Sequence, residues 1–179
     1  PPECSYILGN PPFGSPSTIN IKKNKQIKNI ISIHGGFGNT LDYVTAWFFK
    51  AGEYIDKKTS IGFVATNSIS QGEQVAQLEN ILFKTLGLHI NFAHKQFKWT
   101  SESRGKAQVT VIIFGLSKID KKEKRLFYEK NKILMEENPK IISPYLIGMS
   151  KHLPVVKKIS QPINGLPSMV TGSKPVDGG

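Results

Sequence analysis

The period of the apolar positions changes several times along this chain, and each change marks an element. Tyr6-Ile7-Leu8-Gly9 is a short apolar run, the pattern of a strand covered on both faces, so a central and fully buried strand is predicted there. Leu41, Val44, Trp47, Phe48, Ala51 and Ile55 recur at helical spacing and predict a helix over 41–54, with Asn39 or Thr40 as its cap. Ser60 to Thr66 reads as a second buried parallel strand. A second helix follows over about 71–85, with Leu78, Ile81, Leu82 and Phe83 as its buried stripe and Gly87 as its stop. Leu88 to Phe97 and Gln108 to Leu116 predict two more strands, an antiparallel pair at the sheet edge. Strand, helix, strand, helix, strand, strand is the alternation of an α/β layer with a parallel sheet and a terminal hairpin.

The remaining segments lack such periods. Residues 14–40 are rich in Gly, Ser, Asn and Lys and contain no acidic residue, which predicts a long substrate-facing loop. After Lys118, residues 120–125 read as a charged connector and 128–137 as a short strand-to-helix element. Residues 141–179, rich in Pro, Gly and Ser, read as a linker or the edge of another domain. The chain opens on Pro1-Pro2-Glu3, a few residues before a strand, and the expectation is a piece of a longer polypeptide.

Composition narrows the partners. The chain has 179 residues, 39% hydrophobic and 21% charged, with 24 Lys and Arg against 13 Asp and Glu, a formal net charge of +11. An excess of that size favours a polyanion, because neutralising phosphates releases counterions. One cysteine, Cys4, forms no internal disulfide and no Cys-based metal site. His34, His89, His94 and His152 lack a ligand spacing, so no metal is expected. No run approaches a membrane span. A reducing, cytoplasmic compartment without a membrane partner is expected.

The candidate chemistry lies at the exit of the first strand, in Asn10-Pro11-Pro12-Phe13. Asn10 offers a side-chain carbonyl. The prolines fix φ and have no N–H to spend on a ladder, so the Pro11 carbonyl can be held outward as a second acceptor. Phe13 supplies a face on which a base can stack. Two acceptors and a platform suit a planar NH₂ group. Gly35-Gly36-Phe37-Gly38-Asn39 lacks the spacing of a cofactor loop and reads as a flexible approach to the helix. Cys4 has no basic partner nearby, no Gly-x-Ser-x-Gly elbow exists, and Asp42, Glu53, Asp56 and Glu73 fit solvated helix positions. A chemistry without a protein nucleophile fits best: the chain positions an amine and a cofactor supplies the transferred group.

These residues resemble a known family. Ile7-Leu8-Gly9-Asn10-Pro11-Pro12-Phe13 is similar to the catalytic motif of the amino-group DNA methyltransferases that make N6-methyladenine. Leu41-Asp42-Tyr43, Trp47 to Ala51, Ile61 to Ile69 and Arg104 to Val109 extend the likeness. Together they look most like the methylase part of single-chain restriction–modification enzymes. Met169 to Pro175 is similar to those enzymes' passage toward a target-recognition domain. The resemblance implies the second half of a Rossmann-like, S-adenosylmethionine-dependent methyltransferase sheet, from its fourth strand onward. Residues 1–118 would be part of the catalytic domain and 119–179 a connector toward target recognition.

The family's glycine-rich cofactor turn and the acidic residue ending the next strand are not in this sequence. The main S-adenosylmethionine contacts are therefore expected upstream, and the isolated fragment is expected to be inactive. The resemblance further implies that Asn10, Pro11, Pro12 and Phe13 are catalytic and that Asn67 and Ser68 line the substrate pocket. Lys22, Lys23, Lys25, Lys28, Lys98, Arg104 and Lys106 are the candidate contacts to double-stranded DNA. Other partners are the remainder of the parent polypeptide. Two alternatives stay open: a DNA-binding or subunit-interaction module without chemistry, and a methylase acting on RNA or protein.

Overall fold

The computed structural model describes residues 4–14, 21–33, 41–99, 109–156, 159, 162 and 164–167. Six strands form one mixed sheet: β1 (Tyr6–Gly9), β2 (Ser60–Thr66), β3 (His89–Trp99), β4 (Val109–Ser117), β5 (Arg125–Lys130) and β6 (Ile133–Glu137). Their spatial order is β1-β2-β4-β3-β5-β6. β1 and β2 are parallel, with Tyr6 beside Ser60 and Gly9 beside Phe63. β4 runs antiparallel to both β2 and β3, and β5 runs parallel to β3. β1, β2, β3 and β5 therefore point the same way. β7 (Ile141–Ile142) and β8 (Gly148–Met149) pair separately.

Helices α1 (Ile21–Ile33), α2 (Thr45–Tyr54) and α3 (Gly72–Leu78) complete the layer, α3 continuing as a π-helical segment over Glu79–Thr85. Phe48, Phe49, Ala46 and Ala51 of α2 are buried, and Phe48 makes edge contacts with Phe63 of β2 and Phe114 of β4 at 5.2 and 5.9 Å. Leu78, Ile81 and Leu82 form the second buried stripe. Gly87, at φ +62°, ends it in the left-handed conformation that an unbranched backbone adopts at low cost.

The core is thus the face formed by Ile61, Phe63, Ala65, Ile112, Phe114 and Leu116 under the helices. The opposite face has another packing device. The ring of Phe92 lies flat against Gly115: a Cβ there would fall 2.0 Å from the Phe92 ring carbons.

Several expectations need correction. Residues 21–33 are helical, not part of a loop. Their stretch has neither Pro nor Gly, and Ile30 packs against the core, while dense lysines hide the helical period. β1 is an edge strand among the described residues, with Tyr6 and Leu8 67% and 74% exposed, not a fully covered central one. The helix expected from residue 41 begins at Thr45. Residues 41–44 form a turn before it, so neither Asn39 nor Thr40 sits at its cap, which is Val44.

The segment 128–137 contains no helix. β5 and β6 form a hairpin whose turn residues Asn131 and Lys132 have φ of 53° and 64°, as two-residue hairpin turns require. The predicted β3–β4 pair is consequently inside the sheet, not at its edge. Arg125 grips Glu136 across that hairpin at 2.7 Å and holds the Glu136 carboxyl below its usual range. The glycine-containing stretch 34–40 and the tail 168–179 lie outside the described residues.

The short side of Gly115 is what admits Phe92. Gly115→Ala is expected to expel the ring and destabilise the protein by about 1–3 kcal/mol, read from urea or thermal unfolding. An unchanged midpoint would show that Phe92 moves aside freely.

Candidate active site

Parallel strands bring their C-terminal ends to one edge, and that edge gathers the candidate chemistry. β1 ends at Gly9, and Asn10 follows it, exposed at the surface. Pro11 is buried, Pro12 is exposed and Phe13 is half-buried, its ring partly packed on the core. A buried pyrrolidine directly after Asn10 anchors the chain while the amide side chain stays accessible. Gly9 itself is held close to β2: a Cβ at Gly9 would lie 3.3 Å from the Phe63 ring. The loop is tied at its far end by the Tyr43 N–H, which donates to the Gly14 carbonyl at 2.8 Å.

β2 continues past the level of Gly9 to Thr66, and a 3₁₀ turn over Asn67–Ser70 follows. Asn67 and Ser68 are thus at the same sheet edge as Asn10, in the turn that follows the neighbouring strand. The Asn67 carbonyl accepts from Ser70 Oγ at 2.9 Å. The Ser68 hydroxyl donates to Asp42 Oδ2 in a short contact, so its proton is already engaged.

Asp42 is where the structure departs most from the sequence reading. Its side chain does not lie at a solvated helix position: it is 5% exposed, in the turn before α2. Thr66 Oγ1 also donates to Oδ2 at 2.9 Å, and Gln74 Nε2 donates to Oδ1 at 3.4 Å. The Asp42 N–H returns a bond to Gln74 Oε1 at 3.0 Å. A buried carboxylate is tolerated where donors surround it. The next residue, Tyr43, is buried, stands edge-on to Trp47 and donates its hydroxyl to Gln26 Oε1 of α1 at 3.1 Å. Asp42, Tyr43, Gln74 and Gln26 are therefore the residues that sequence reasoning missed. The available signal was an acid inside a stretch, 41–49, where nearly every other position is apolar.

The basic candidates divide. Lys22, Lys23, Lys25 and Lys28 lie on α1, and Lys25 and Lys28 are exposed. The Tyr43–Gln26 bond fixes that helix to the turn beside the site. Lys98 is exposed near the end of β3, and because β3 runs with β1 and β2, it lies at the Asn10 edge. Arg104 and Lys106 lie outside the described residues. Lys130 and Lys132, at the tip of the β5–β6 hairpin, are exposed and leave the same edge; the unrecognised hairpin concealed them.

The residues present suit the amine-holding side of a transfer site. The described glycines with positive φ are Gly72, Gly87 and Gly165. None follows one of the parallel strands directly, so none forms the strand-to-helix turn that cradles an anionic or nucleotide group. The outer side of β1 carries no partner strand among the described residues.

Known proteins share the fold. Residues 2–128 match the family described as MmeI, DNA-methyltransferase domain. A curated relative, DNA methyltransferase A of Bacillus subtilis (strain 168), is 41% identical over 180 residues, covering 97% of this chain and 19% of that protein. The solved structure of the Type IIL restriction-modification enzyme MmeI in complex with DNA superposes with a TM-score of 0.84 at 39% identity, covering 97% of this chain and 23% of that one. The chain thus spans about a fifth of the length of each.

The bonds into Asp42 make the β2 exit rigid, and one of them can be removed without changing side-chain shape. Thr66→Val is expected to destabilise the protein by about 1.5–3 kcal/mol, the range for a hydrogen bond to a charged group, as measured by denaturant unfolding. A change below a few tenths would mean the Thr66–Asp42 bond contributes nothing net.

Proposed function

The chain belongs to the family of MmeI-type DNA-methyltransferase domains, and from that membership we propose that its parent protein methylates N6 of adenine in duplex DNA within a restriction–modification system. The observation that carries the reading is Asn10: an accessible amide directly after a parallel strand, followed by a buried proline, at the edge where α/β sheets bind ligands. An adenine in a duplex is out of reach of such an edge, so the base would be flipped into it.

Asn10 Oδ1 and the Pro11 carbonyl would then each accept one hydrogen of the exocyclic amine. Held by two acceptors, the nitrogen has one orientation left for its lone pair. Phe13, half-accessible, would stack on the ring, and Asn67 with Ser68 would wall the crevice. S-adenosylmethionine, held mainly by residues outside this chain, would supply the electrophilic methyl group, its sulfonium S–C bond breaking to release the neutral thioether S-adenosylhomocysteine. When the nitrogen gains the methyl it sheds a proton. The loop 10–14 has no titratable side chain, so that proton would pass to water. The chemistry asks this chain for positioning.

Residues 1–118 act in this reading as the amine-binding half of the catalytic domain, and 119–179 lead toward target recognition, with β5 and β6 still inside the catalytic sheet. Without the cofactor-binding half, the isolated chain would transfer no methyl group. The lysines of α1, with Lys98, Arg104, Lys106 and the hairpin pair Lys130 and Lys132, would contact phosphates rather than bases.

Asn10→Ala in the full-length protein is expected to lower methyl transfer to DNA by roughly 10²-fold or more, by analogy with loss of one hydrogen bond to a reacting group. Transfer of labelled methyl to adenine measures it. Undiminished transfer rejects the assignment, and labelled RNA or protein in place of DNA would move the substrate class.

Replacing Lys22, Lys23, Lys25 and Lys28 by alanine should weaken DNA binding without sequence preference. The slope of log affinity against log salt should fall by roughly one unit for each phosphate that is no longer neutralised. If neither affinity nor slope changes, those lysines are solvated surface.

A further inference from the structure

We propose that Asp42 is a positioning residue for this transfer site, setting the separation between the Asn10 loop and the Asn67–Ser68 wall. The inference rests on Asn10 being the amine acceptor, but its structural half stands on contacts alone. The carboxylate gathers three side-chain donors from beyond its own turn: Thr66 at the end of β2, Ser68 in the 3₁₀ turn and Gln74 in α3. Its main-chain carbonyl accepts from the Thr45 N–H at 3.0 Å and from Thr45 Oγ1 at 2.7 Å, which fixes the start of α2. One residue along, the Tyr43 N–H holds Gly14 at 2.8 Å. Two consecutive residues of one turn therefore grip both loops of the active edge.

The chemistry of the grip favours a carboxylate. Apolar side chains could fill the space, but they would leave two hydroxyls and an amide without an acceptor. Hydrogen bonds to an ionised acceptor are roughly twice as strong as neutral ones and more demanding in direction. Burying an anion carries a large desolvation cost. That cost is offset only when the donors converge, so the arrangement selects one loop geometry over its neighbours. Asp42 acts on the amine through the loops that it holds. A displacement of about 1 Å at a reacting pair can lower a rate about 10²-fold.

The test uses the full-length enzyme with Asp42→Ala and Asp42→Asn. Steady-state methylation gives kcat and KM for DNA, and hydrogen exchange is followed in peptides covering 9–14, 66–71 and β4. Asp42→Ala is expected to lower kcat roughly 10–100-fold with KM for DNA little changed. Exchange should accelerate in both 9–14 and 66–71 while β4 stays protected. Asp42→Asn keeps one acceptor oxygen and offers an amide that the hydroxyls can accept from, so it should recover most of kcat.

Full kcat in Asp42→Ala overturns the proposal, as does faster exchange confined to 66–71. Equal losses in both variants with both loops still protected would also overturn it, by giving the charge a direct role. If Asp42→Ala does not fold, Gln74→Leu removes one donor and should show the same kcat loss at smaller size; unchanged kcat there counts against the proposal. If the wild-type enzyme transfers no methyl to DNA, the functional reading fails while the exchange comparison still decides the positioning.

Discussion

Register between β1 and β2 governs where Asn10 stands against Asn67 and Ser68. Parallel pairing places Gly9 beside Phe63, and a slip of one residue would turn Ile7 out of the core and Leu8 into it. The pairing is locked from several directions. At its start the Ser60 N–H donates to the Ser5 carbonyl at 2.9 Å, and the Thr59 hydroxyl reaches the Cys4 carbonyl at 2.9 Å. The loop supplying Thr59 is itself shaped by Asp56. Its carboxylate accepts the Lys58 N–H, which holds it below the usual carboxylate range, with further bonds from Thr59. Along the ladder, Gly62 leaves room for Leu8 and Gly9 leaves room for the Phe63 ring. Those two glycines make the strands complementary in one register only. Asn10 and Asn67 share an edge because of it.

The exits of the two strands are then fixed by opposite means. After β1, rigidity is covalent: consecutive prolines restrict φ and burial of Pro11 anchors the bend. After β2, rigidity comes from polar bonds converging on one buried carboxylate. Covalent restriction survives changes nearby, whereas a polar network depends on all its members. That contrast makes the β2 exit the more sensitive of the two to substitution, although no residue there is proposed to contact the reacting nitrogen.

Much of the frame was legible because its signals are local. β2, α2 and the β3–β4 pair announce themselves through runs and periods that tertiary context did not override. The Asn-Pro-Pro-Phe exit could be read because proline constrains its own backbone. α1 was not legible: its lysines dilute the apolar stripe, and part of its support is tertiary, in Ile30 on the core and Gln26 to Tyr43. β5 and β6 escaped for a related reason. Only Leu126 of β5 is buried, and β6 pairs as an outer strand whose Ile133 and Leu134 stay exposed, so neither shows the expected alternation. Asp42 stands out in the sequence only as an acid in an apolar stretch, which says nothing of what surrounds it. An acid one turn before an apolar helix looks like a favourable charge at a helix N-terminus, and only the fold reveals three donors from distant segments around it.

Strand direction also fixes the edge from which the basic side chains leave the sheet. A loop between antiparallel strands can leave either edge, but β4 is antiparallel to β2 as well as to β3. β3 must then run with β1 and β2, and Lys98 leaves the same edge as Asn10, three strands away. The same reasoning carries through the parallel β3–β5 pair to Lys130 and Lys132. At roughly 4.8 Å between neighbouring strands, β5 lies about 19 Å from β1 across the sheet, a span comparable to the width of a nucleic-acid duplex. Basic side chains distributed over that span on one edge, with Asn10 at its far end, would offer a polyanion several points of attachment. Under the proposed function, an electrostatic contribution of that kind would raise affinity broadly and leave the choice of base to the loops that Asp42 and the prolines hold still.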